Sequence, residues 1–181
     1  MGFGTVVAIR RASANRVSRK GWLKGMKILV ATEGSEFSKA AIDKCCAILG
    51  NSKDADVRLV SASEPAMIPP EPFALSAEYI REMDENSRRL AENVVSRAEQ
   101  DIRRCIPEIG GKLTTTITTG APAQVIVDEA ERWGADLIVV GSHGYGFWQR
   151  ALLGSVSNAV VHHAPCSVLV VRGNGERKPE R

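Results

Sequence analysis

The sequence has no uninterrupted apolar run of about 18 residues, so it offers no membrane-spanning helix. It has no C-x-x-C pair, and its cysteines and histidines make no set with zinc-ligand spacing, so no metal site is expected. The four cysteines, Cys45, Cys46, Cys105 and Cys166, have apolar neighbours that suit buried thiols in a reducing cytosol. Acidic residues are missing from residues 1–25, which contain Arg10, Arg11, Arg16, Arg19, Lys20 and Lys24. These six cations exceed the formal net charge of +3, which leaves the rest of the chain at −3. The pI of about 8.8 therefore describes an N-terminal arm, and the body is mildly acidic.

Several readings of that arm stay open. It lacks Ser or Thr at the sixth position, which argues against myristoylation. Its Arg-rich, acid-free composition is that of an organellar transit peptide, but a misassigned start codon or an added leader is the favoured reading. Met26-Lys27-Ile28-Leu29-Val30 is a natural beginning for a fold. Residues 1–25 are thus expected to be a disordered arm, 26–172 the folded domain and 173–181 a polar tail. No aromatic-interleaved basic patch recurs in the body, so neither nucleic acid nor a membrane is expected as a partner.

What is present is an ordinary globular composition, 44% hydrophobic and 25% charged, in 181 residues. A single core of this size buries enough surface to need no disulfide or metal. Lys27–Ala31 reads as a buried strand that runs through Thr32-Glu33-Gly34 into a helix capped by Ser35 and stopped by Gly50. Asp56–Ala62 is a second strand. Pro65, Pro69, Pro70 and Pro72 make 64–76 a semi-stiff loop, placed to fold over a ligand as a lid. Ile80, Met83, Leu90, Val94, Ala98, Ile102 and Cys105 recur at helical spacing and predict one long amphipathic helix from Ala77 to Ile106. Lys112–Thr119 is β-rich, Pro122 opens a helix that Gly134 ends, and Leu137–Val140 is a clean buried strand. A helix from about Gly154 to His163 and the strand Ser167–Val171 complete an alternating β/α order. That order implies one parallel sheet with helices on both faces, and ligands in such sheets bind beyond the strand carboxyl ends.

The loop after Val140 carries the strongest chemical signal. Gly141-Ser142-His143-Gly144-Tyr145-Gly146 is neither a Walker loop nor a full dinucleotide fingerprint. It leaves a buried strand and closes on Gly154-Ser155 at a helix start, where backbone amides and the helix dipole favour phosphate. Ser155 is a candidate phosphate ligand or, alternatively, only the helix N-cap. His143 either donates to a phosphate or shapes the turn through its backbone.

The spacing Gly141-x2-Gly144-x9-Gly154-Ser155, with Ala135–Gly144 and Ala164–Val171, resembles the ATP-binding branch of the universal stress proteins across residues 26–172. The resemblance implies a Rossmann-like, adenine nucleotide α-hydrolase-like α/β fold with a single open parallel five-stranded sheet of order 3-2-1-4-5. It implies ATP, with Mg²⁺, as cofactor. Phosphates and ribose are placed against Gly141, His143, Gly144, Gly154, Ser155 and Val156, with adenine near Ala31, Glu33 and Ala62 over Val140. The family usually has Asp where Glu33 stands and often Val where Ala62 stands, which leaves a longer carboxylate and a roomier pocket. A homodimer through the last strand and a cytoplasmic, nucleotide-dependent stress-response role follow from the same resemblance. No acid/base pair or Walker-type lysine marks an efficient enzyme, and no catalytic residue is assigned. The alternatives are a slow ATP-hydrolysing or adenylyl-transferring enzyme, with self-phosphorylation at Ser155 or Ser157, and a nucleotide-independent interaction module.

Overall fold

The computed structural model describes residues 6–9, 23, 25–50, 54–63, 76–143 and 153–173. Strands β1 (Val6–Ile9), β2 (Lys27–Ala31), β3 (Asp56–Ser63), β4 (Leu113–Thr119), β5 (Leu137–Gly141) and β6 (Ser167–Val171) form one sheet in the order β1-β6-β5-β2-β3-β4. Helices α1 (Glu36–Leu49), α2 (Ala77–Cys105), α3 (Pro122–Trp133) and α4 (Ser155–His163) connect them, with a 3-10 turn at Pro107–Lys112. β2 to β6 are all parallel and reproduce the expected 3-2-1-4-5 order of five strands.

Strand alternation divides the core between the two faces. Ile28, Val30, Val57, Leu59 and Val139 point to the side covered by α1 and α2. Leu29, Ala31, Val60, Ile138 and Val140 point to the side covered by α3 and α4. Both sets are buried because each strand has helices above and below, which explains why these segments read as continuous apolar runs. Helix ends follow local chemistry. The Ser35 hydroxyl accepts from the Ser38 amide at 3.2 Å, and the Ser76 hydroxyl caps α2 through the Tyr79 amide. Gly134 adopts φ 68° and closes α3 through Ala130 and Glu131 carbonyls.

Two segments of the first 25 residues enter the fold, contrary to the expectation of an arm wholly outside it. β1 pairs antiparallel with β6, Val6 opposite Val171 and Ile9 opposite Val168. Leu23 is buried in the core beneath α1 and α2, and the Gly25 amide donates to Asp54 O at 2.8 Å. The physical reason is the edge: a bare β6 would present a row of unpaired amides and carbonyls, and a short apolar segment satisfies them. The edge expected to accept a second copy is therefore occupied by the same chain.

Three further expectations change. The buried seam of α2 is Ala91, Val95, Ala98 and Ile102, one residue on from the expected Leu90 and Val94. Ser155 is the first residue of α4, whose N-cap is Gly154 with no side-chain cap. Of the cysteines only Cys45 is fully buried, and Cys105 is exposed. The proposed lid, residues 64–75, lies outside the described residues, as does the tail beyond Gly173.

Candidate functional site

The sheet reverses direction between β2 and β5, since the chain moves outward from β2 to β3 and β4, then returns to β5 on the other side. At such a switch point the loops leaving neighbouring strands diverge and open a crevice. A cavity of about 630 Å³ lies there. Its floor is the carboxyl ends of β2 and β5, its far end is β3 and α2, and its near end is the start of α4. Ala31, Glu33, Ala62, Val140, Gly141, His143, Gly154, Ser155 and Val156 all line this one cavity. Gly144 lies outside the described residues.

The α4 end is built by backbone. The Gly154 amide donates to Ser142 O at 2.7 Å, and the buried Ser157 hydroxyl donates to the same carbonyl at 2.9 Å. This clamp ties the glycine loop to the helix start. It also consumes the Gly154 amide, so the donors that helix geometry leaves without an intrahelical acceptor begin at Ser155 and Val156. Both line the cavity, with the positive end of the α4 dipole behind them. A Cβ on Gly154 would stand 3.2 Å from Ser142 O and 3.3 Å from His143 Cα, which is why glycine occupies the clamp.

Gly141 is required on the other side. A Cβ there would meet the Phe37 carbonyl carbon at 2.7 Å and its oxygen at 2.8 Å. This glycine lets β5 run against the first turn of α1. The same close approach brings the Phe37 ring within 5.3 Å of the His143 ring, tilted by 50°. His143 Nδ1 is 3.1 Å from the Ser142 hydroxyl. The imidazole is thus fixed by its neighbours at the cavity wall.

At the β2 end, the Glu33 carboxylate accepts a hydrogen bond from the Ser35 hydroxyl. The extra methylene relative to aspartate returns the carboxylate to the α1 N-cap. Thr32 N donates to Val60 O at 3.0 Å, and Gly34 N donates to Ser38 Oγ at 3.1 Å, so the turn is held on both sides. The strand β3 end is joined to α2 by Ser63 Oγ and Ser87 Oγ at 3.1 Å.

The cavity wall contributed by α2 was missed by sequence reading. Ser87, Leu90, Ala91 and Val94 line it, and Leu90 remains 67% exposed. Leu90 and Val94 belong to the apolar spacing of α2, but they face the cavity while Val95 and Ala98 face the core. The signal was the width of the stripe: both rows are apolar, and periodicity alone does not separate a core face from a pocket face. Pro122 and Ile126 of α3 were missed for the same reason.

The site has apolar walls at one end and backbone donors at the other. That is the distribution required by a flat heterocycle attached to an anion. Glu33 is the sole carboxylate among the described lining residues, and those residues hold no group of three potential metal ligands.

Residues 26–172 match the universal stress protein family. The chain is 32% identical over 167 residues to a universal stress protein of Methanocaldococcus jannaschii, covering 92% of this chain and 94% of that protein. Among solved structures it is similar to a universal stress protein of Lactobacillus plantarum, with a TM-score of 0.67 and 25% identity over 82% of this chain and 99% of that one. It is also similar to an Arabidopsis thaliana universal stress protein family member with AMP bound, with a TM-score of 0.60 and 26% identity over 86% and 96% of the two chains.

Proposed function

The chain belongs to the universal stress protein family, and from that premise we propose that it binds an adenine nucleotide in the cavity between β2 and β5 and acts as a nucleotide-dependent stress-response regulator. The observation that carries the reading is the pairing of an apolar cleft at the sheet switch point with the N-terminus of α4. Adenine lies between Ala31, Ala62 and Val140, and phosphates meet the Ser155 and Val156 amides with the Ser155 hydroxyl. Gly141 and Gly154 keep backbone close, and His143 stands beside the phosphates. ATP is the nucleotide proposed, and AMP bound to the Arabidopsis relative supports the adenine class. Mg²⁺, which keeps several waters and leans on phosphate oxygens, needs at most one carboxylate here, and Glu33 is the one in reach of the cavity.

The protein is proposed to be cytoplasmic: its described cysteines are free, and no helix among the described residues is long and apolar enough to cross a membrane. Self-association through the sheet edge is part of the reading, with the condition that a second copy pairing on β6 must displace Val6–Ile9. Titration calorimetry with ATP and AMP, each with and without Mg²⁺, tests the function directly. Saturable one-site binding is expected, and nucleotide released from denatured protein should be adenine-based. Absence of both would sink the reading.

A further inference from the structure

A second cavity, of about 270 Å³, lies between α1 and α2 beside the turn that leaves β2. It shares Thr32 and Val94 with the larger cavity and is otherwise walled by different residues. Ile42 and Ala98 give it a buried apolar lining, while Lys39 of α1 and Arg97 of α2 are exposed along its wall. Two cations from two helices, far apart in sequence, thus meet at one hollow of a mildly acidic body.

Both cations are uncommitted. Of the six arginines of α2, Arg81, Arg88, Arg103 and Arg104 pair with carboxylates of their own helix, and Arg89 bonds to Asn86. The Arg97 guanidinium has no hydrogen-bond or ion-pair partner among the described residues, and neither does the Lys39 ammonium. The one carboxylate of the wall, Asp101, stands four residues after Arg97 but bonds Arg104 at 3.0 Å instead. The neutral donors of the wall are spent. The Ser35 hydroxyl donates to Glu33, the Ser38 hydroxyl to Ser35 O and the Thr32 hydroxyl to Ser38 Oγ. The Gly34, Ser38 and Lys39 amides are engaged by Ser38 Oγ, Ser35 Oγ and Ser35 O. What the wall has left to offer is positive charge carried by side chains.

We propose that this cavity binds a small phosphate dianion, free or as the monoester of a small molecule. The planar Arg97 fork takes two phosphate oxygens, and Lys39 approaches from the facing helix as a point charge. Two cations match a dianion. A monocarboxylate would satisfy only one of them, and a neutral polar ligand would find the wall's donors already engaged. Carbon attached to the phosphate rests on Ile42 and Ala98. The pairing of Asp101 with Arg104 offsets the repulsion that this carboxylate would exert on the anion. The site is distinct from the nucleotide cleft, and the proposal stands whether or not a nucleotide binds there.

The test titrates the full chain, without nucleotide, with inorganic phosphate, glycerol 3-phosphate and acetate at constant ionic strength, read by calorimetry and by amide shifts in nuclear magnetic resonance. Saturable binding of a phosphate is expected, with shifts at 34–39 and 94–101. Tighter binding of glycerol 3-phosphate identifies an ester as the ligand, and equal affinity identifies free phosphate. Lys39→Gln and Arg97→Gln should each weaken binding about tenfold, as for one lost charge-assisted hydrogen bond. Both side chains are exposed and unpaired, so the urea midpoint should not move. Unsaturable uptake (an adventitious ion only), acetate binding as tightly as phosphate, or unchanged affinity in both variants would each overturn the proposal. So would shifts confined to Ser155 and Val156, which would place the phosphate in the larger cavity. Failure of the nucleotide reading would show separately, as absent ATP binding.

Discussion

The Gly154 amide donates to the Ser142 carbonyl at 2.7 Å, so the glycine that opens α4 is engaged by the loop from β5 rather than left to face the cavity. The glycine loop and the helix start are one unit, and the role of Gly154 is to permit their closeness. The ligand-facing donors begin one residue later.

Gly154→Val should therefore fold and lose nucleotide. A branched side chain drives Ser142 and His143 away from the clamp, because even a Cβ stands 3.2 Å from Ser142 O. Calorimetry should show ATP affinity down by at least about tenfold, roughly 1.4 kcal/mol. Unchanged affinity would separate the cavity from the function assigned to it.

Gly141→Ala should act on stability instead. Its Cβ would stand 2.7 Å from backbone of α1, which has no soft rotamer to turn aside. Urea unfolding should register a loss of about 1–3 kcal/mol, as for an overpacked core.

Ala62→Val should raise affinity for adenine nucleotides. Ala62 lines the cavity, and two added methyl carbons against the base are worth at most about 0.8 kcal/mol each. A severalfold lower Kd for ATP is expected by calorimetry, and a weaker one would place the base elsewhere.

A chain starting at Met26 should be less stable than the full chain. It lacks the buried Leu23 side chain, worth about 1.5–3 kcal/mol, and it exposes the β6 edge. Chemical denaturation should show the loss, and light scattering should show increased self-association. Equal stability and a unchanged mass distribution would return residues 1–25 to a dispensable leader.

Alkaline pH should destabilise the protein through Cys45. Burial, with a smaller contribution from Cys105, raises its thiol from 9.0 to about 12. The unfolded chain ionises first, so stability is full below about pH 9 and is lost as pH rises toward 12. The slope attributable to this thiol is about 1.4 kcal/mol per pH unit. Comparing wild type with Cys45→Ala by urea unfolding at pH 8 and 10 isolates it: the difference between the two should shift with pH in that direction.

The same logic of partners governs Glu129. It is 4% exposed, yet Arg58 reaches it at 2.7 Å and Arg132 closes on its other oxygen. Arg58 also lies 4.5 Å over the Trp133 ring. A charge so deep in α3 is tolerated because two guanidinium groups face it from β3 and from its own helix. Sequence spacing suggests the Arg132 contact, but Arg58 is adjacent only after β3 and α3 pack.

By itself the sequence determined what depends on local chemistry and period: the alternating strands and helices, the Ser35 cap, the Gly50 and Gly134 stops, and the five-strand order through the family resemblance. Through the same resemblance it named ten binding residues, and the nine that are described line one cavity at the point where the strand order reverses. Tertiary structure alone decided which of two apolar rows on α2 faces the cleft, that Gly154 serves the clamp and Gly141 the helix contact, and that Val6–Ile9 closes the sheet. Those outcomes depend on which surfaces remain uncovered once the sheet forms. Periodicity records that a side chain is apolar, whereas its neighbour is set by packing between segments far apart in the chain.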